Sequence, residues 1–176
     1  AMGLAWTPVG GDVLFIEAAI MPGKGGLTIT GQLGDVMKES VSAALGFIKS
    51  HSQPLRVDLQ PTEQQEIHVH VPAGAVPKDG PSAGLAMFVA LLGLLAHRTP
   101  KPRLAMTGEL TLTGQVLPVG GIKEKVLAAH RAGVHLLILP KDNKRDVLHE
   151  VPQEVRESLK IHYVSRAEEV LKLAFS

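Results

Sequence analysis

The stretch from Ala83 to Ala96 carries no charged residue and is the most apolar part of the chain, with Leu85, Phe88, Leu91, Leu92 and Leu95 among its members. It is shorter than the roughly 18–20 residues that a bilayer span needs, so it is expected as a buried core helix, and no membrane span is expected. A chain of 176 residues that is 45% hydrophobic and 20% charged can bury a core around such a helix as one domain without a disulfide staple.

The remaining segments alternate between β and α patterns. Asp12 to Met21 and Gly26 to Gly31 read as two strands joined by a hairpin turn at Pro22-Gly23-Lys24-Gly25. From Asp35 to Ser50, Val36, Met37, Val41, Ala44, Leu45 and Ile48 recur at helical spacing while Lys38, Glu39 and Ser42 fill the other face, which predicts an amphipathic helix. Gln53 to Gln65 is polar and broken by proline, and reads as a loop with at most a short strand around Leu55–Leu59. Glu66 to Val71 alternates cleanly, placing Ile67, Val69 and Val71 on one face and Glu66, His68 and His70 on the other. Short strands are expected near Leu104–Glu109, Gln115–Pro118 and Leu136–Leu139, a helix over Ile122–Ala132, and a last helix opened by a capping box at Ser165-Arg166-Ala167-Glu168. The mixture is α+β, with no internal repeat. Ala1 and Met2 precede a sequence that begins in mid-flow at Gly3-Leu4-Ala5-Trp6; they are expected as a scar, with the domain running from Gly3 to Ser176 and no signal peptide.

Composition excludes several kinds of function. The 18 Lys and Arg against 17 Asp and Glu leave no strong field to draw nucleic acid or an anionic membrane. Zero cysteines exclude disulfides, zinc ribbons and thiol nucleophiles, and permit a reducing compartment.

In Pro77-Lys78-Asp79-Gly80-Pro81-Ser82-Ala83-Gly84, turn chemistry gives way to the apolar helix, so Ser82 is expected at a helix N-terminus. Backbone N–H groups there lack intrahelical partners and carry the positive end of the helix dipole, and can hold the oxyanion formed when a serine attacks a carbonyl. The small residues Gly80, Ala83 and Gly84 leave room for a substrate backbone. Taken alone, Ser82 reads first as a helix cap.

A second anomaly lies in Gly120-Gly121-Ile122-Lys123-Glu124-Lys125. At about 100° per residue, Ile122, Val126, Ala129, Ala132 and Gly133 share one side of the helix, and Lys125 projects between Ala129 and Ala132 on that side, while Lys123, Glu124 and Arg131 point away. A lysine pressed against apolar surface has a lowered pKa and can serve as a general base near neutral pH. Taken alone, Lys125 reads first as a lysine that snorkels past the core edge. A serine and such a lysine together make a nucleophile and its base.

These residues resemble the proteolytic domain of Lon, the ATP-dependent serine protease, in its A-type subgroup. The resemblance covers nearly the whole chain: Gly3 to Thr7, His68-Val69-His70-Val71-Pro72, Pro77 to Gly84, Thr107-Gly108-Glu109, and Leu117 to Lys125. It implies a compact α+β fold of the ribosomal-protein-S5 domain-2-like type, with Ser82 as nucleophile and Lys125 as general base. By the same resemblance Thr107 hydrogen-bonds the Lys125 amine, and Asp79, His68, His70, Trp6 and Glu17 stand around the site in support. It further implies unfolded or damaged polypeptide substrates, hexameric rings enclosing the sites, a cytoplasmic setting, and an upstream ATPase module that uses ATP and Mg. The chain has no Gly-x-x-x-x-Gly-Lys-[Ser/Thr] phosphate loop, and Gly23-Lys24-Gly25-Gly26 is too short for one, so no cofactor and no ATPase activity are expected in this fragment.

Three other readings stay open at the level of sequence. His68 or His70 with Asp79 could form a Ser-His-Asp triad. His68-x-His70 has the same-face spacing of two zinc ligands, although no third ligand is evident nearby and no metal is expected. The chain could also be a ring-forming module without catalysis.

Overall fold

The computed structural model describes residues 1–7, 10–57, 64–72, 78 and 80–175, with the backbone alone for Trp6 and Thr7. One sheet has five strands: β1 (Met2–Thr7), β2 (Gly10–Phe15), β6 (Leu104–Met106), β9 (Leu136–Pro140) and β10 (Lys160–Val164), in the order β10-β9-β6-β1-β2. All its neighbours are parallel except β1 and β2, which pair antiparallel with Met2 opposite Phe15. Its inner strands are buried on both faces. Leu104 and Met106 of β6 and Ile138 of β9 belong to one apolar cluster, while Ala105, Leu137 and Leu139 belong to the other, as the two-residue alternation of a strand dictates.

The first cluster holds the apolar helix, α3 (Gly84–Leu95), together with the inner face of α1 (Asp35–Ser50). α3 is apolar all round, and α1, β1, β3 (Glu17–Pro22), β6, a short strand β7 (Glu109–Leu110) and the last helix, α7 (Ala167–Ala174), surround it. The second cluster lies on the opposite face of the sheet. There α4 (Ile122–Arg131) and α5 (Lys144–Glu150) pack through Ile122, Val126, Ala129 and Val147, with α6 (Gln153–Ser158) beside α4. The result is a compact mixed α/β fold.

Several sequence expectations need correction, among them Val36, expected on the apolar face of α1 but exposed because it sits on the side of the helix turned away from α3. The strand expected over Asp12–Met21 breaks at Ile16: β2 joins the large sheet, and β3 crosses to a three-stranded sheet ordered β3-β5-β4, where β4 is Leu27–Thr30 and β5 is Gln65–His70. β3 and β4 therefore form no hairpin, because β5 lies between them, antiparallel to β3 and parallel to β4. Two strand spacings amount to about 10 Å, and the turn bridges that gap by arching over the end of β5, with Gly23 N–H on the Gln64 carbonyl at 3.1 Å and Ile67 N–H on the Gly26 carbonyl at 3.0 Å. Residues 53–55, expected within a loop, belong to a short helix, α2 (Ser52–Leu55), because Leu55 and Val57 are drawn into the core; residues 58–63 lie outside the described set.

The last two corrections concern helix starts. Glu169, not Glu168, accepts from the Ser165 N–H (3.1 Å), the Ser165 hydroxyl (3.0 Å) and the Arg166 N–H (3.0 Å). Arg166 is held extended by its bridge to Gln115, beside β8 (Val116–Leu117), whose Val116 N–H meets the Ser165 carbonyl at 2.9 Å, so the helix opens one residue later than the capping pattern implies. Glu168 pairs instead with Arg166 at 3.1 Å. At the start of α3 the N-cap is Ala83, and Ser82 precedes it.

Candidate active site

Ser82 occupies a turn whose carbonyl, not its hydroxyl, is the anchored group. Its backbone oxygen accepts from Gly108 N–H at 2.9 Å and from the Thr107 hydroxyl at 3.2 Å. Thr107 is wholly buried, and its own N–H bonds the Ile138 carbonyl of β9 at 3.2 Å, so the turn is fixed to the large sheet. The next helical turn is fixed alongside, Leu85 N–H meeting the Gly108 carbonyl at 3.0 Å. The Ser82 side chain makes no hydrogen bond among the described residues and caps no helix, which removes the structural role that its position in the sequence offered. Nor do the Ser82 and Ala83 amides have an acceptor there, the condition required of oxyanion donors. Gly80 has φ of 113°, a conformation that favours glycine, and among the described residues nothing beyond its chain neighbours lies within 4 Å of where a Cβ would be.

Lys125 comes from the first turns of α4, its N–H bonded to the Gly121 carbonyl at 3.0 Å. It is 3% exposed, whereas Lys123 and Arg131 on the same helix are exposed. Ala132 and Gly133, expected on the apolar side, lie beyond the helix end and are exposed. Burial lowers the Lys125 pKa to about 8, since taking the ammonium out of water penalises its charged form. The helix reaches this depth because β2 is stripped of a side chain beneath it. A Cβ on Gly11 would collide with the Glu124 carbonyl and stand 3.0 Å from the Lys125 amide nitrogen.

Ser82 and Lys125 line one cavity of about 480 Å³, together with Pro81, Glu109, Val119 and Gly121. No hydrogen bond joins Lys125 Nζ to the Ser82 or Thr107 hydroxyl; the Thr107 hydrogen goes to the Ser82 carbonyl, and its lone pairs are left to accept. Glu109, which closes the Thr107-Gly108-Glu109 run, is a wall residue that the sequence reading did not single out. Its β7 register opposite Leu117 is what turns it toward the cavity, and that register is set by tertiary pairing.

The other expected support residues are not gathered here. His68, His70 and Glu17 line a separate cavity of about 390 Å³ on the three-stranded sheet, where Glu17 faces His70 across β3 and β5. The Thr30 hydroxyl stands 2.7 Å from both His68 Nε2 and His70 Nδ1, so one threonine links the two rings. Among the described residues no three His, Cys, Asp or Glu side chains are placed to hold a metal ion, and no helix is long and apolar enough to cross a membrane. Asp79 lies outside the described residues, as does the Trp6 side chain.

A hydroxyl free of structural duty and an amine with a lowered pKa, lining one cavity with open backbone N–H groups, can support acyl transfer of the serine-hydrolase class. Residues 1–176 match the family described as Lon protease (S16) C-terminal proteolytic domain, and the chain belongs to that family of serine protease domains. It is 60% identical over 176 residues to a Lon protease of Syntrophus aciditrophicus (strain SB), a match covering 100% of this chain and 22% of that protein. It is 58% identical over 175 residues to a Lon protease of Desulfosudis oleivorans, covering 99% and 21%, and 59% identical over 174 residues to Lon protease 4 of Sorangium cellulosum, covering 99% and 22%. The chain thus spans about a fifth of the length of these relatives.

Proposed function

We propose that the chain cleaves peptide bonds with Ser82 as nucleophile and Lys125 as general base. The observation that carries this reading is the shared cavity of the two side chains, one without a hydrogen bond among the described residues and the other with its pKa lowered by burial. Lys125 as a neutral amine takes the Ser82 proton while Oγ bonds to the peptide carbonyl carbon, and the carbonyl oxygen becomes an oxyanion met by the Ser82 and Ala83 N–H groups. Collapse expels the amine half of the substrate, which receives the proton from the Lys125 ammonium. Water, deprotonated by Lys125 in turn, then attacks the acyl-serine; the acyl–Oγ bond breaks, the Lys125 ammonium returns the proton to Ser82 Oγ, and the acid half departs.

The family makes proteins the substrates. The finer reading is of the A-type subgroup acting on unfolded or damaged chains, in a hexameric ring in the cytoplasm, with ATP used by a module outside these residues. Thr107, Gly80 and Asp79 belong to the nucleophile side in this reading, and Trp6, Glu17, His68 and His70 to outer support. A His68- or His70-based triad is disfavoured because both rings line the other cavity. Labelling with a peptide boronate or fluorophosphonate tests the assignment: the adduct should map to Ser82 and vanish in Ser82→Ala. Peptidase activity persisting at wild-type level in Lys125→Met would transfer the base role to another residue, and absence of any adduct would favour a ring module without catalysis.

A further inference from the structure

Among the described residues four polar side chains are buried: Ser40, Thr107, Lys125 and Asn143. Ser40 turns back on the Val36 carbonyl of its own helix at 3.1 Å, and Thr107 and Lys125 belong to the site above. Asn143 is 2% exposed, and its amide is committed in full. Oδ1 accepts from Val119 N–H at 2.9 Å, while Nδ2 donates to the Val119 carbonyl at 2.9 Å and to Asp146 Oδ2 at 2.8 Å. The opposite orientation of the amide would set donor against donor and oxygen against two acceptors, so the partners fix which way it lies.

Val119 is part of the wall of the Ser82–Lys125 cavity. Pro118 has no N–H, and Gly120 makes no hydrogen bond among the described residues, so the two bonds to Asn143 are the ones that hold Pro118–Gly120 in place. Two residues on, Gly121 is the N-cap of α4 with φ of 69°, and its carbonyl receives the Lys125 N–H. Asn143 ends the 3-10 turn Lys141–Asn143 that follows β9 directly. β9 is also the strand whose Ile138 carbonyl fixes Thr107, which in turn holds the Ser82 carbonyl.

We propose that Asn143 is a positioning residue of the peptidase site, tying the Val119 wall and the start of the Lys125 helix to the same strand that holds the Ser82 turn. It deepens the reading of Ser82 and Lys125 given above and rests on it. Asn143 touches no substrate; it acts through Val119. Without it the Val119 N–H and carbonyl lose both partners, the wall swings toward solvent, and water reaches the Lys125 amine. The charged groups on elements packed against α4 include Asp12 on β2, Asp146 and His149 on α5, and Glu154 and Arg156 on α6, with Glu109 across the cavity. Burial alone lowers the Lys125 pKa, so admitting water is what would raise it.

The test is the pH profile of kcat/KM for a fluorogenic peptide in Asn143→Leu, which keeps the branched shape and removes the two Val119 bonds together with the one to Asp146. The expected result is a loss of at least about tenfold at neutral pH, the low end of what general-base positioning contributes, with the acid limb displaced to higher pH. Val119→Ala trims the wall but keeps both backbone bonds, and should leave that limb where wild type has it. Asp146→Ala frees the Asn143 amide without touching Val119, and should shift the limb less, in the same direction. A folded Asn143→Leu protein with the wild-type limb overturns the proposal, whether activity is kept or uniformly reduced, since a merely structural asparagine would lower the rate without moving the profile. If Asn143→Leu does not fold, an unshifted limb in Asp146→Ala overturns it. Failure of the wild-type protein to label at Ser82 would instead remove the parent reading, independently of any Asn143 variant.

Discussion

The Thr107 hydroxyl donates to the Ser82 carbonyl at 3.2 Å, so the residue expected to hold the base is bonded to the backbone of the proposed nucleophile. Thr107→Val keeps the shape and removes the donor. A hydrogen bond of this kind contributes about 0.5–1.5 kcal/mol, and calorimetry should register a stability loss of that order together with slower labelling of Ser82. Thr107→Ser, which retains the hydroxyl, should recover most of the labelling rate.

Ser82 gives the opposite signature. Because its side chain caps no helix, Ser82→Ala should leave stability within about 0.5 kcal/mol, where a capping serine would cost about 1 kcal/mol. Denaturant unfolding of the variant decides between these, and its peptidase activity should be abolished while the fold stands.

As the proposed base, Lys125 should link pH to both activity and stability. Its pKa is lowered from an ordinary 10.5 to about 8, so the fraction of neutral amine, and with it kcat/KM, should rise as pH increases through about 8. Between about 8 and 10.5 the unfolded chain holds a proton that the folded chain has released, and stability therefore rises with pH across this window. Below it both states are protonated and the burial penalty is fully present. Lys125→Met should abolish this rise, be at least as stable as wild type near pH 7, and lose about 10²–10⁴-fold in activity, the range typical of a general base. Unfolding curves at pH 7, 8.5 and 10 for the two proteins check the sign.

Gly11 lies far from Ser82 in sequence, yet it sets the depth of α4. Gly11→Ala puts a methyl group against the Glu124 carbonyl, and overpacking of this kind costs about 1–3 kcal/mol. The helix start should move outward, so the melting temperature and the labelling rate of Ser82 should fall together. A variant with wild-type melting and labelling would show that β2 and α4 separate without cost.

How much of this was legible beforehand differs from residue to residue. The apolar run predicted α3, the alternation of Ile67 and Val69 predicted β5, and the misplaced Lys125 was visible against Lys123 and Arg131, because periodicity and burial are properties of short windows. Within such a window, too, the Ser82 and Lys125 motifs were long enough to point to the Lon family. Partners distant along the chain were invisible. The insertion of β5 between β3 and β4, the shift of the final cap from Glu168 to Glu169, and the removal of His68 and His70 to a second cavity all follow from pairings across sheets. So does the amide of Asn143 on Val119, since an asparagine after a buried strand reads locally as turn chemistry.

The sequence by itself determined the chemistry available: a serine, an amine on an apolar helix face, no thiol, and the apolar mass to bury one core. The tertiary structure decided which of those groups share a cavity and how dry it is. The reason is physical. A side chain's identity fixes what proton it can carry, but its hydration and its neighbours depend on elements that only packing brings together.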